Sequence, residues 1–173
     1  FLDLCTGSGC LGIITALTFP ESTGVLADLE SGACQIAREN VDFHQVPDRL
    51  EVIQSDGFDG LSEGSYDLII CNPPYVDTED MATLPPEFRK EPTVALASGN
   101  DGLTLVRRLL EQAADWLASD GIMVLEVGNT WGLLDREISS RTGESVQWCE
   151  FEFGGFGVCV LSKQELNTLY SAF

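Results

Sequence analysis

Histidine is almost missing from this chain, and lysine nearly so. One histidine (His44) and two lysines (Lys90 and Lys163) leave 9 basic residues against 28 acidic ones, a net charge of −19 over 173 residues. With that one imidazole read as a surface or capping residue, Ser-His-Asp and Cys-His nucleophile systems and His-built metal centres are set aside, and no metal is expected. His44 itself stands at the end of a helix-like stretch before Pro47, a place for a surface or capping residue. The shortage of positive charge works against nucleic acid phosphates, so no direct DNA binding is expected, and it favours a basic partner as well as solubility.

Other absences narrow the class further. The six cysteines form no C-x-x-C pair and have no histidine at zinc spacing; they read as reduced, mostly core residues of a cytoplasmic protein. No apolar run is long enough to span a membrane, so no membrane partner is expected. There is no signal-like start. The chain opens inside a strand pattern, "FLDLC", so residues 1–173 are expected to be one domain of a longer protein.

What is present alternates. Strand-like runs at residues 1–5, 24–28, 50–54, 66–71 and 121–127 are interleaved with helix-like runs at 10–18, 31–44, 101–118 and about 131–141. Two last strands, about 145–153 and 157–162, are joined by Gly154-Gly155 and predict an antiparallel hairpin. The pattern predicts an α/β, Rossmann-like fold with a mostly parallel seven-stranded sheet and helices on both faces. Residues 72–100 have no period and hold five of the seven prolines, which suggests a functional loop. In such sheets ligands bind beyond the carboxyl ends of the strands. That directs attention to Asp3 through Gly9, Asp28, Asp56, Asn72 and Glu126.

The first strand end, "DLCTGSGCLG", holds Gly7-x-Gly9-x-x-Gly12 between a strand and a helix. With Asp28 ending the next strand, a dinucleotide is the first candidate. Asp3 counts against it, because a carboxylate at this turn opposes a pyrophosphate. The ammonium and sulfonium of S-adenosylmethionine would be attracted instead, and Asp56 could accept from the adenine amine. Singly, Asp28 and Asp56 could be no more than turn or helix caps; together with Asp3 they favour an adenosyl cofactor carrying positive charge.

The fourth strand ends in "CNPPY". An Asn-Pro pair can simply start a turn. Beside a methyl donor it has another use, because a planar –NH2 nitrogen is a poor nucleophile with a delocalised lone pair. The Asn72 side-chain oxygen and the Pro73 carbonyl can each accept one N–H and aim the lone pair at the methyl. Pro73 and Pro74 fix φ, and Tyr75 offers a flat face for a planar group.

These residues resemble the class I, Rossmann-like methyltransferases, and among them the HemK-like protein-glutamine methyltransferases. Adenine-amino DNA methyltransferases share the Asn-Pro-Pro-Tyr-type segment. The runs "DLCTGSGCLGI", "NPPYVDTEDMATLPPEFRKEP", "ALASGNDGLTLVRRLLEQAADWL", "VLEVGN" and "GGFGVCVLSKQEL" look like the branch that methylates a glutamine of a large-subunit ribosomal protein. A sister branch modifies the Gly-Gly-Gln glutamine of release factors and usually lacks the "EDM…LPPEF" run. The resemblance implies that Asn72, Pro73, Pro74, Tyr75 and Glu91 serve the substrate amide. It also implies that Asp3, Cys5, Thr6, Gly7, Ser8, Gly9, Asp28, Asp56, Gly57 and Asn72 surround the cofactor, whose product is S-adenosylhomocysteine. Family members carry a small helical N-terminal domain that helps grip the substrate; residues 1–173 are expected to be the catalytic domain alone. Lys90 and Phe156 depart from the family pattern, which has a histidine and a polar residue there.

Overall fold

A computed structural model describes residues 1–75, 101–152 and 154–170. The elements run β1 (Leu2–Leu4), α1 (Cys10–Thr18), β2 (Gly24–Asp28), α2 (Ser31–Phe43), β3 (Leu50–Gln54) and β4 (Tyr66–Cys71). Then come α3 (Thr104–Trp116), β5 (Leu117–Glu126), a 3₁₀ turn (Gly128–Thr130), α4 (Trp131–Thr142), β6 (Val158–Ser162) and α5 (Lys163–Tyr170). The strands pair in the order β3-β2-β1-β4-β5-β6, all parallel except β6, which runs antiparallel to β5. Among the described residues, no helix is long and apolar enough to cross a membrane.

Period-two alternation divides the sheet residues between two cores. Leu2, Leu4, Ile69, Cys71, Met123, Leu125, Cys159 and Leu161 point to one face, where α3, α4 and α5 bury Val106, Leu109, Leu110, Leu134, Ile138, Leu166 and Leu169. On the other face Leu26 and Leu50 pack with Ile13 and Ala16 of α1 and Val41 of α2. The helical face of α3 expected from Leu105, Leu109, Ala113 and Trp116 is turned slightly. Val106, Leu109, Leu110, Ala113 and Ala114 are its buried residues, and Trp116 stacks on Phe58 at 5.2 Å.

Two expectations need correction. The sheet has six strands among the described residues rather than seven, and the C-terminal hairpin has only one regular arm. Residues 145–152 touch β6 through a single bridge, Trp148 to Cys159. The cause is competition from α4. Asp135 Oδ1 accepts from Val146 N at 3.1 Å and from the Trp148 indole at 3.0 Å, which draws the segment toward the helix. The second correction is α5, which the sequence reading passed over. Ser162 Oγ accepts from Glu165 N at 3.2 Å while Glu165 Oε2 accepts from Ser162 N at 2.7 Å, a reciprocal cap that starts the helix directly from β6.

Strand order reverses between β1 and β4, and that switch point is where a crevice opens beyond the carboxyl ends of a parallel sheet. The register aligns Leu4 with both Ala27 and Cys71, so Cys5, Asp28 and Asn72 all leave the sheet at one edge.

Candidate active site

The loop after β1 is braced from inside by its own carboxylate. Asp3 is 1% exposed, and its Oδ2 accepts from Thr6 Oγ1 at 2.5 Å and Gly12 N at 2.8 Å. Its Oδ1 is buried with no hydrogen-bond partner. Burial pushes the Asp3 carboxyl up to about 6, against the two hydrogen bonds that favour the charged form. The group is therefore an anion at neutral pH, enclosed in the turn that the sequence places nearest the ligand. Cys5 follows with φ 56, an uncommon conformation for a residue with a Cβ. Gly9 at φ 85 caps α1, and a Cβ there would sit within 3.3 Å of Ile13, Leu26 and Ala37. Glycine lets the loop turn at this φ and keeps the start of α1 close to β2 and α2.

Asp28 ties the second strand end to the first. Its Oδ2 accepts from Gly7 N at 2.8 Å and its Oδ1 from Glu30 N at 2.9 Å. The exposed Ser8 contributes its carbonyl to Asn40 Nδ2 at 2.8 Å, which links the loop to α2. Asp56, at the third strand end, already has a partner: Arg108 of α3 donates to its Oδ1. The guanidinium holds the Asp56 carboxyl below the usual carboxylate range, and Asp56 in turn raises Arg108. Gly57 is fixed beside it, its carbonyl accepting from Ser55 Oγ at 2.7 Å.

On the fourth strand end Asn72 is exposed, Pro73 is buried, and Pro74 and Tyr75 are half-buried. The Tyr75 hydroxyl donates to Glu126 Oε1 at 3.3 Å, joining the ends of β4 and β5. Glu91 and residues 76–100 lie outside the described residues.

The structure thus joins the β1 loop from Asp3 to Gly9 to Asp28 at the end of β2 and sets Asn72 through Tyr75 just beyond the end of the neighbouring β4. Arg108 was missed by the sequence reading, since nothing in a helix sequence says which loop it reaches. Glu126 was marked as a strand end without a role; its position at the carboxyl end of β5 was the available signal. His44 is exposed at the C-terminal end of α2.

A glycine turn and an Asn-Pro-Pro-Tyr segment on either side of the switch point of a doubly wound sheet define a class I methyltransferase domain. Residues 1–101 match the methyltransferase small domain family, and the chain belongs to that family. It is 40% identical over 99% of its length to a ribosomal protein uL3 glutamine methyltransferase of Francisella tularensis, covering 54% of that protein. It is also 40% identical over 96% of its length to the protein of the same description in Bordetella pertussis, covering 55% of it. The chain therefore spans about half the length of the curated relatives it matches. The fold is shared with a methyltransferase from Pyrococcus furiosus at a TM-score of 0.66 and 22% identity, over 94% of this chain and 73% of that one.

Proposed function

We propose that the full-length protein transfers a methyl group from S-adenosylmethionine to the side-chain amide nitrogen of a glutamine in a large-subunit ribosomal protein. The observation that carries this reading is the position of the Asn-Pro-Pro-Tyr segment, which follows directly on the end of β4 at Cys71, beside β1 at the switch point. An amide nitrogen calls for acceptors rather than a strong base. The Asn72 Oδ1 and the Pro73 carbonyl would take its two N–H groups, with Pro74 holding the backbone and Tyr75 packing on the amide plane. Glu91 would serve the same substrate amide.

The residues present fit the cofactor. When bound it supplies an electrophilic methyl on a sulfonium centre. Cys5, Thr6, Gly7, Ser8 and Gly9 would line its methionine part, Asp28 would hold the ribose hydroxyls, and Asp56 and Gly57 would border the adenine. The buried, unpartnered Oδ1 of Asp3 places negative charge behind that loop, which suits a cationic ligand and opposes a pyrophosphate.

Two further facts support the substrate. The relatives at 40% identity are described as acting on ribosomal protein uL3. Ribosomal proteins are basic, and a domain at net −19 would steer them inward. The test is to incubate the full-length protein with labelled cofactor and, separately, large-subunit ribosomal proteins, release factors or duplex DNA. A one-methyl mass shift on a glutamine peptide of a ribosomal protein is expected. Label on a release factor would move the substrate to the sister branch, and label in DNA alone would overturn the reading.

A further inference from the structure

Tyr75 sits in a seat assembled from three distant parts of the chain. Its hydroxyl donates to Glu126 Oε1 at 3.3 Å. Its ring lies directly on Gly128, where a Cβ would come within 2.5 Å of Cε2 and 2.9 Å of Cζ. At the other end of the residue, a Cβ on Gly102 would stand 2.3 Å from the Tyr75 carbonyl oxygen. Gly128 is itself held from behind: a Cβ on Gly157 would meet its carbonyl oxygen at 2.3 Å, and Val127 N donates to Gly157 O at 2.7 Å. Gly102 and Gly128 have φ +73 and +48, a region that favours glycine independently of the space.

We propose that Glu126 is a positioning residue that, with Gly102 and Gly128, fixes the ring plane of Tyr75 against which the acceptor amide is held. Tyr75 is half-buried and stands just beyond the carboxyl end of β4, with its ring packed on Gly128. A phenylalanine would fill the same space. What the hydroxyl adds is a tether to a carboxylate on the next strand, which stops the ring from tilting between two proline-fixed and glycine-fixed segments. Glu126 acts through Tyr75 and touches neither reacting atom. Its effect therefore falls on substrate alignment, not on cofactor binding. The proposal rests on the role given to Tyr75 above, packing on the plane of the substrate amide.

The test is a double-mutant cycle in the full-length protein, with methyl transfer to the substrate glutamine and cofactor binding measured separately. Glu126→Ala and Tyr75→Phe are each expected to lower kcat/KM about tenfold, the scale of losing a hydrogen bond to a charged group. The double variant should be no worse than either single one. Glu126→Gln keeps an acceptor oxygen and should restore most of the rate, while cofactor affinity stays constant throughout. Gly128→Ala should act in the same direction, and Gly143→Ala, at φ +78 in open space, should leave kcat/KM unchanged. Fully additive losses, or a fall in cofactor affinity with Glu126→Ala, would overturn the proposal. A second readout is independent of activity: the flip rate of the Tyr75 ring, followed by NMR on labelled tyrosine, should rise in Glu126→Ala. A wild-type protein that methylates no glutamine sinks the functional reading, whereas an unchanged ring-flip rate sinks the positioning role.

Discussion

The two sides of the crevice are built by different means. The β1–β2 side is local: Asp3 holds Thr6 and Gly12, and Asp28 holds Gly7 and Glu30, all within the first thirty residues. The β4–β5 side is assembled at long range, with Tyr75 meeting Glu126, Gly102 and Gly128. A local loop depends mainly on its own backbone turns. A long-range seat depends on the whole sheet being in register, so its geometry should be the more sensitive to remote changes.

The largest expected effect separates the two sides outright. Asn72→Ala removes one of the two acceptors and should lower kcat by about 10²–10³, the range seen when one positioned charge-stabilising group is lost. Cofactor binding by calorimetry should change little. Activity that survives this change would place the amide acceptors elsewhere.

Asp28→Ala attacks the other side. Loss of the hydrogen bonds to Gly7 N and Glu30 N, and of the expected ribose contacts, should raise the cofactor Kd about 10- to 100-fold, with peptide affinity unaltered. A matching fall in peptide affinity would mean that the two sides are not independent.

The Asp3 prediction concerns pH. An acid raised in the folded state to about 6 from 3.8 favours folding in its protonated form. Its contribution is complete below about 3.8 and is lost as pH rises through about 6, leaving a penalty on the order of 3 kcal/mol at neutral pH. Asp3→Asn should remove that dependence from a denaturation series. A cationic ligand favours the ionised carboxylate, so cofactor affinity should climb between about pH 5 and 7 in the wild type and stay flat in the variant. The smallest effect belongs to Arg108→Ala. Its pair with Asp56 is largely exposed, and unfolding stability should shift by less than about 1 kcal/mol.

The same contrast explains what could be read in the sequence. The β1 loop was legible because its parts are neighbours: a strand, a glycine turn and a helix leave a signature within a dozen residues. The Asn72 to Tyr75 segment was legible because two prolines interrupt an apolar run. Arg108 on Asp56 and Gly128 under Tyr75 were not, since each depends on which helix or turn the sheet brings alongside. The absence of a seventh strand among the described residues has a related cause. Residues 145–153 have strand-like composition, but one carboxylate on α4, Asp135, outcompetes the ladder. The opposite failure is α5, whose Ser162-x-x-Glu165 signature stands in the sequence at and just beyond the end of the strand expected over 157–162.

β1 is three residues long and is hydrogen-bonded on both edges, to β2 and to β4. Its second neighbour reaches it only after two helices and two strands have been made. The central strand therefore stays open on one edge until β4 joins it, with a long loop to close before the pairing is complete. An N-terminal folding intermediate that lacks β4 could carry a formed glycine turn, yet it would have no acceptor wall opposite. Ligand capture and completion of the sheet centre thus become a single event. A cofactor added during refolding should slow unfolding of the finished domain without accelerating its formation.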